Sequence, residues 1–181
     1  MTRLVLAATL GANYGIYGPA FELCENESFA PGSEEYRNSE KYEIKVRDLN
    51  APGSLKDYIT RVNRARRENP ALQGDWSLRF HPVDNDLLLC YSKTTDDLSN
   101  AVLVVVNLDS QATQSGWVSL DLAALGLDAS VPFQVHDLLD DNRHIWQGAH
   151  NYVEIDPRQS PAHLFRIRRK THSERDFDYY L

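Results

Sequence analysis

Six short runs rich in β-forming residues follow one another between positions 86 and 169, and they constrain the fold more than any other feature of this chain. Turn-forming Asp and Asn residues separate several of them, as at residues 84–86 and 140–142. The runs are DLLLCYS, NAVLVVVNL, GWVSLDL, VPFQVHDLL, NYVEID and HLFRIRR. Short strands separated by turn signals are typical of an antiparallel β-sandwich. We therefore predict an all-β domain over residues 74–170 and a disordered tail over residues 171–181.

An amphipathic helix is predicted between Ser54 and Asn69. Apolar residues at positions 55, 58, 59, 62 and 65 follow the spacing of one helix face. Ser54 is a good N-cap, and Pro70 disfavours helical backbone at the residue before it.

An apolar run without polar alternation, Arg3–Leu10, opens the chain. Such runs suit strands that are buried on both faces, as in parallel sheets. A strand, a long loop and the helix after it make one β/α unit, which we assign to residues 1–73.

Charge and cysteine content exclude several classes of protein. The formal net charge of −7 disfavours a general nucleic-acid binder. Cys24 and Cys90 lack the spacing of a zinc site or a disulfide framework, so we expect two reduced thiols, no metal and no cofactor. No apolar run approaches the roughly 20 residues that span a membrane, and we expect a cytoplasmic protein.

The loop between the apolar run and the helix, residues 11–53, has a composition that suits carbohydrate binding. Its aromatic rings offer flat faces for sugars, and its polar side chains offer hydrogen bonds to hydroxyls. The residues concerned are Tyr14, Tyr17, Phe21, Tyr36 and Tyr42, with Glu22, Glu25, Asn26, Asn38 and Lys41. The alternative interpretation is a solvated loop whose aromatic residues only pack.

Two weaker signals also point to sugar chemistry. Glycosidases need two carboxylates across a sugar bond, and Glu22 with Glu25, or Glu34 with Glu35, are candidates, although solvated loop glutamates explain them better. Trp117 and Trp146 are candidates for a sugar-binding platform, although burial in the core is the favoured interpretation.

Three segments resemble a known family. They are LVLAATLGANYGIYGPAFELCENE, GSEEYRNSEKYEIK and ITRVNRARRENPAL, and they are similar to the C-terminal third of the bacterial α-1,4-glucan:maltose-1-phosphate maltosyltransferases. These enzymes belong to glycoside hydrolase family 13 of the α-amylase superfamily. The resemblance implies an α/β plus all-β fold. Residues 1–73 would be the last β/α unit of a (β/α)8 TIM barrel, with Arg3–Leu10 as its eighth strand, and a C-terminal antiparallel β-sandwich would follow.

The resemblance also implies an activity. The family transfers a maltosyl unit from α-maltose 1-phosphate to the non-reducing end of an α-1,4-glucan in glycogen and α-glucan biosynthesis. It retains configuration and releases phosphate. Its catalytic aspartates and glutamate precede the region that matches this chain, so we assign no catalytic residue here and expect an inactive C-terminal fragment. Lys41 and Tyr42 in the motif SEKYEIK match the pair that contacts the maltosyl unit.

The implied partners are maltose 1-phosphate and an α-1,4-glucan, within a homodimer, without nucleic acid or membrane. Two alternatives stay open at this point. One is a non-catalytic carbohydrate-binding or accessory β-sandwich module, and the other is a fragment without function.

Overall fold

The computed structural model of the chain describes residues 1–37, 39–40 and 44–169. Within this part of the chain, the helices are α1 (Thr2–Leu10), α2 (Gly18–Glu22), α3 (Lys56–Glu68) and a 3-10 helix (Pro70–Gln73). The strands are β1 (Arg79–His81), β2 (Leu88–Thr94), β3 (Ala101–Asn107), β4 (Gln114–Ser119), β5 (Phe133–Asp137), β6 (Arg143–Trp146), β7 (His150–Ile155) and β8 (Ala162–Arg168).

The strands form two sheets in which every neighbouring pair is antiparallel. The large sheet has the order β1-β2-β3-β8-β5-β6, and the small sheet consists of β4 and β7. The prediction of a mostly antiparallel β region after Gly74 is therefore confirmed, and each of the six predicted runs overlaps a strand. The sequence missed β1 and β6, which are 3 and 4 residues long and mostly exposed.

Strand β3 lies near the middle of the large sheet, and all of its residues are buried. Because side chains alternate across a strand, Val102 and Val104 contact the helices on one face. Leu103 and Val105 lie on the opposite face, in the core shared with the small sheet. Residues 101–106 of this strand are accordingly all apolar.

The first core lies between the large sheet and helices α1 and α3 with the 3-10 helix. The predicted helix is confirmed, because Tyr58, Ile59, Val62 and Ala65 form its buried face. Its start differs from the prediction by one residue, since the N-cap is Leu55. Ser54 still contributes, because its Oγ accepts the amide hydrogen of Lys56 at 3.2 Å.

The prediction of a strand over Arg3–Leu10 is wrong, because the segment forms helix α1. A strand needs hydrogen-bonded neighbours, and among the described residues every strand pairs with others. A helix satisfies its backbone groups internally, and Leu and Ala favour it. Leu4, Val5 and Ala8 then pack on the first core. The described residues hold no parallel strand pair, so they do not form a barrel unit.

The side chain of Arg66 in α3 forms hydrogen bonds with the carboxyl end of α1. Its guanidinium donates to the carbonyl oxygens of Ala8, of Gly11 at 3.3 Å and of Ala12 at 2.6 Å. It also donates to the carbonyl oxygen of Leu72 at 3.2 Å. A cation at this position complements the negative end of the helix dipole. These hydrogen bonds of Arg66 fix the position at which the long loop leaves α1.

The second core lies between the large and small sheets. Val118 of β4 and Val153 of β7 face Cys90, Val105 and Phe165 of the large sheet. The large sheet is thus covered on both faces, by helices on one and by the small sheet on the other.

The boundary at Gly74 stays a prediction, while residues on both sides of it share the first core. The tail over residues 171–181 lies outside the described residues.

In the described chain the longest helix has 13 residues, and no helix has the length and apolar character that crossing a membrane requires.

Candidate functional site

The two residues that the motif resemblance marks for sugar contact, Lys41 and Tyr42, lie outside the described residues. Asn38, another candidate from the loop, does so as well. Their roles therefore stay predictions. The described parts of the loop, residues 11–37, 39–40 and 44–53, show how their chain neighbours are held.

The first part of the loop is tied to the helices. Helix α2 begins with Gly18 at a positive φ of 49° and Pro19 in its first turn. The amide of Leu55, just before α3, donates to the carbonyl oxygen of Glu22 at 2.7 Å. The end of α2 is thus fixed to the start of α3.

A small antiparallel turn forms the middle of the loop. Ser28 and Tyr36 form a β-bridge, and the amide of Phe29 donates to the carbonyl oxygen of Glu35 at 2.8 Å. The amide of Arg37 donates to the carbonyl oxygen of Glu27 at 2.6 Å. These contacts bring residue 37, shortly before the predicted sugar pair, next to residue 27.

An ionic cluster joins both ends of this turn to the segment after the predicted pair. Arg47 Nε donates to Glu25 Oε1 and Oε2, both at 3.1 Å, and its Nη2 donates to Oε2 at 2.9 Å. Arg47 Nη1 also contacts the carboxylate of Glu40, the residue before Lys41. The side chain of Arg47 is only 7% exposed, so it holds these carboxylates from within the loop.

The same cluster determines what Glu25 does. The hydrogen bonds from Arg47 are the main reason why the pKa of the Glu25 carboxyl lies below its usual range. A glycosidase general acid needs the opposite shift. The structure therefore favours a binding scaffold over a catalytic role for Glu25. Glu35 accepts a hydrogen bond from Ser39 Oγ at 2.8 Å, which is also a local loop contact.

A cleft of about 530 Å³ lies beside this cluster. Its walls come from two stretches of the loop, and they carry both carboxylates and cations. The lining residues are Leu23, Cys24, Glu25, Asn26, Glu27, Arg37, Lys45, Val46 and Arg47. The volume is within the range of small-molecule sites, and a lining of this kind suits a polyhydroxylated ligand better than an apolar one.

The loop aromatics divide into packing and exposed residues. The ring of Tyr14 lies under the Arg66 guanidinium at 5.2 Å, and its hydroxyl donates to Asn63. Phe21 packs on the first core. Tyr17 is 67% exposed and meets Tyr36 edge-to-face at 6.0 Å between ring centroids. Tyr17 is thus the described loop tyrosine most open to a ligand.

The two tryptophans behave differently. Trp146 contacts Phe133 and Phe165 edge-to-face at 6.3 and 5.3 Å, and packs on the second core as the favoured interpretation expected. The prediction of burial is wrong for Trp117, which is 52% exposed. The alternation in GWVSL contains this signal, because Val118 points inward and its neighbours must point outward.

The cysteines are both free thiols, with Cys24 exposed and Cys90 buried. Burial raises the pKa of the Cys90 thiol to about 12, which makes it unreactive at neutral pH. Within the described ranges, no three His, Cys, Asp or Glu side chains are grouped closely enough to hold a metal ion.

Two solved structures with a similar fold are α-amylases. An α-amylase from Geobacillus thermoleovorans complexed with acarbose matches with a TM-score of 0.59 at 18% identity, over 94% of this chain and 34% of that one. A noncanonic maltogenic α-amylase, AmyB from Thermotoga neapolitana, matches with a TM-score of 0.57 at 9% identity, over 91% of this chain and 35% of that one. The fold is that of the C-terminal region of α-amylases.

Sequence matches are more specific. Residues 80–167 match the family described as "GLGE, C-terminal". An α-1,4-glucan:maltose-1-phosphate maltosyltransferase of Methylacidiphilum infernorum (isolate V4) is 50% identical over 165 residues, which are 91% of this chain and 25% of the relative. One from Rhodospirillum rubrum is 52% identical over 167 residues, 92% of this chain and 24% of the relative. The chain is therefore a relative of the C-terminal portion of these maltosyltransferases, and it spans about a quarter of their length.

Sequence reasoning did not predict the contacts by which Arg47 and Arg66 organise the loop. Arg47 is 22 positions from Glu25, and Arg66 is 58 positions from Ala8. Side chains that act over such separations leave no local signal in a single sequence.

Proposed function

We propose that this chain supplies the C-terminal part of a maltosyltransferase. The reaction moves a maltosyl unit from α-maltose 1-phosphate to the non-reducing end of an α-1,4-glucan and releases phosphate, with retention of configuration. The observation that carries the proposal is the identity of 50% and 52% to named maltosyltransferases over more than nine-tenths of this chain. Glycogen or α-glucan biosynthesis is the corresponding role.

The proposed contribution of this chain is substrate positioning. Lys41 would donate hydrogen bonds to sugar hydroxyls, and Tyr42 would add a hydroxyl contact or ring packing. The contact of Arg47 with Glu40 supports this assignment, because it restrains the residue next to the pair. Contacts remote from the cleaved bond help to position the reacting carbon.

We assign the chemical step to residues outside this chain. The resemblance places the catalytic carboxylates in the part of the relatives that this chain does not match, and the ionised Glu25 supports this division. We expect residues 1–73 to adjoin the end of the catalytic barrel. The homodimer and the cytoplasmic location implied by the resemblance stay predictions.

A chimera tests the proposal. The matching C-terminal quarter of the Rhodospirillum rubrum enzyme would be replaced by this chain, and phosphate release from α-maltose 1-phosphate would be measured with maltoheptaose as acceptor. We expect turnover in the chimera and none from the 181-residue chain alone. A folded chimera without turnover would contradict the proposal.

Two variants test the positioning role within the chimera. Lys41→Ala and Tyr42→Ala should each reduce kcat/KM for maltose 1-phosphate by about tenfold or more. Lys56→Ala is the matched control, because this exposed lysine at the start of α3 contacts Asn50 at 2.8 Å and should leave kcat/KM unchanged. Unchanged kinetics in both loop variants would remove Lys41 and Tyr42 from the site.

A further inference from the structure

The outer face of the small sheet carries a pair of aromatic rings side by side. Trp117 of β4 and Tyr152 of β7 are direct cross-strand partners. Their ring centroids lie 5.6 Å apart at an interplanar angle of 62°. The residues are 52% and 48% exposed, although Val118 and Val153 beside them are buried. A pair of this size on a solvent-facing sheet surface has no role in either core.

Polar residues flank the pair at both ends. The register pairs Ser119 with His150 on one side and Ser115 with Glu154 on the other. Ser119 Oγ lies 3.0 Å from His150 Nδ1. Positions on the same face of a strand repeat every two residues, or about 6.5 Å. The face therefore has an aromatic centre with hydrogen-bonding groups on either side.

The backbone beneath Trp117 is held from both edges. On the side away from β7, the Trp117 amide donates to Asp84 Oδ1 at 2.6 Å. The Trp117 carbonyl oxygen accepts the amide hydrogen of Asp84 at 3.3 Å, and Val83 forms a β-bridge with Val118. Because these contacts restrain the backbone at Trp117, less ordering is needed there when a ligand binds.

We propose that this outer face, formed by Ser115, Trp117, Ser119, His150, Tyr152 and Glu154, binds an α-1,4-glucan chain away from the loop site. The choice of glucan rests on the proposed function. Two inclined rings fit the C–H faces of successive sugars in a curved α-1,4-linked chain, and the flanking groups fit its hydroxyls. The face would hold the acceptor polymer near the enzyme.

Calorimetric titration of the 181-residue chain with maltoheptaose tests the proposal. The Lys41→Ala/Tyr42→Ala double variant serves as the background, so that heat reports sites other than the predicted loop pair. We expect binding in this background, and Trp117→Ala or Tyr152→Ala should weaken it by about tenfold or more. Trp117→Tyr, which keeps an aromatic face, should retain most of the affinity.

The control variant is Trp76→Ala, because Trp76 is 76% exposed but lies outside β4 and β7. It should bind like the background. Far-ultraviolet circular dichroism would show that each variant is folded. A cello-oligosaccharide of equal length should bind weakly, because its flat chain does not follow the inclined rings.

Several results would overturn the inference. Maltoheptaose binding that is absent in the double-variant background, or unchanged in Trp117→Ala, removes the outer-face site and leaves the proposed function intact. Equal affinity for the cello-oligosaccharide contradicts the α-1,4 preference. Self-association that Trp117→Ala abolishes, without glucan binding, would assign the face to a protein contact instead.

Discussion

His163 Nδ1 lies 2.5 Å from Asp137 Oδ2, and its Nε2 lies 3.1 Å from the carbonyl oxygen of Glu154. Both ring nitrogens face acceptors, which the doubly protonated imidazolium satisfies best. The side chain of Asp137 is only 2% exposed, and it also accepts amide hydrogens from Leu139 at 2.9 Å and Leu164 at 3.3 Å. This pair, of which the aspartate is buried, therefore connects β5 to β8.

The pair makes stability depend on pH. Burial lowers the pKa of His163, but the hydrogen bond and charge of Asp137 raise it more, so the net pKa lies above the usual value. A raised pKa in the folded state stabilises the protein fully below the unfolded pKa of about 6.5. That contribution is lost as pH rises through the folded value. Urea unfolding of the wild type and His163→Gln should give a difference in free energy that is largest below about pH 6.5 and shrinks as the pH rises above it.

The pKa of His81 is shifted in the opposite direction. Its effect on stability is the same in the wild type and in His163→Gln, so it cancels when the two proteins are compared. Burial lowers the pKa of His81, whose Nδ1 accepts the amide hydrogen of Asp121 at 3.3 Å. Its contribution therefore falls as pH drops, in the wild type and in the variant alike. A difference between the two proteins that does not change with pH would contradict a charged His163.

Asp137→Ala should destabilise the fold strongly. The substitution leaves a partly buried imidazole without its counter-ion and two backbone amides without their acceptor. Removing one partner of a buried ion pair costs about 3–5 kcal/mol in the free energy of unfolding. Asp86→Ala is the control, because Asp86 is exposed, and it should change stability by less than about 0.5 kcal/mol. Equal stabilities of the two variants would exclude the pair as a structural contact.

Strands were predicted correctly where a run is buried on both faces or alternates between apolar and polar residues. The prediction failed where the types of apolar residue, rather than their pattern, decide between strand and helix. The runs RLVLAATL and NAVLVVVNL are equally apolar, but the second is rich in β-branched Val and lies at the centre of the sheet. The first is rich in Leu and Ala, and its buried positions 4, 5, 8 and 9 follow a helical spacing. Attention to the residue types would have separated the two.

Less of the candidate site was predictable. Aromatic and polar composition marked the loop as a candidate region, which stays a prediction. The favoured burial of Trp117 was wrong, although the alternation around it is consistent with an exposed ring. The ties made by Arg47 to Glu25 and Glu40 depend on the path of the folded loop. No periodicity or local spacing records such contacts.

Lys93→Met should stabilise the protein. The side chain of Lys93 is 1% exposed, its Nζ lies 3.7 Å from Asp75 Oδ1, and it has no hydrogen-bond partner among the described residues. Burial is the main reason why the pKa of Lys93 lies below its usual value. Because Asp75 is 67% exposed and is hydrated when its contact with Lys93 is lost, replacing this buried charge with an apolar side chain of similar length should gain about 1–2 kcal/mol. Urea unfolding at pH 7 measures the gain.

The pH dependence of that gain identifies its cause. The folded pKa of Lys93 lies below the unfolded value, so wild-type stability rises with pH between the two. The advantage of Lys93→Met should therefore be largest at neutral pH and shrink toward about pH 10. Lys56→Met, at an exposed position, should show no gain at either pH.

Arg47→Lys should loosen the loop without unfolding the domain. A lysine keeps the charge but cannot make the forked contact with Glu25 while also reaching Glu40. Amide hydrogen exchange at Phe29 and Arg37 should accelerate by about three- to fivefold, as expected from the loss of a loop ion pair. Exchange in β3 should not change, and equal acceleration there would indicate global destabilisation instead.

Thr9 and Tyr91 form the buried contact that most directly tests helix α1. Thr9 Oγ donates to the Val5 carbonyl oxygen at 2.6 Å and lies 2.5 Å from the Tyr91 hydroxyl, and both residues are fully buried. Thr9→Val leaves the Tyr91 hydroxyl without this partner and should cost about 1–3 kcal/mol. Because Tyr91→Phe removes the other partner, the double variant should lose less stability than the sum of the single variants. Additivity within about 0.5 kcal/mol would mean that α1 does not dock on β2 through this contact.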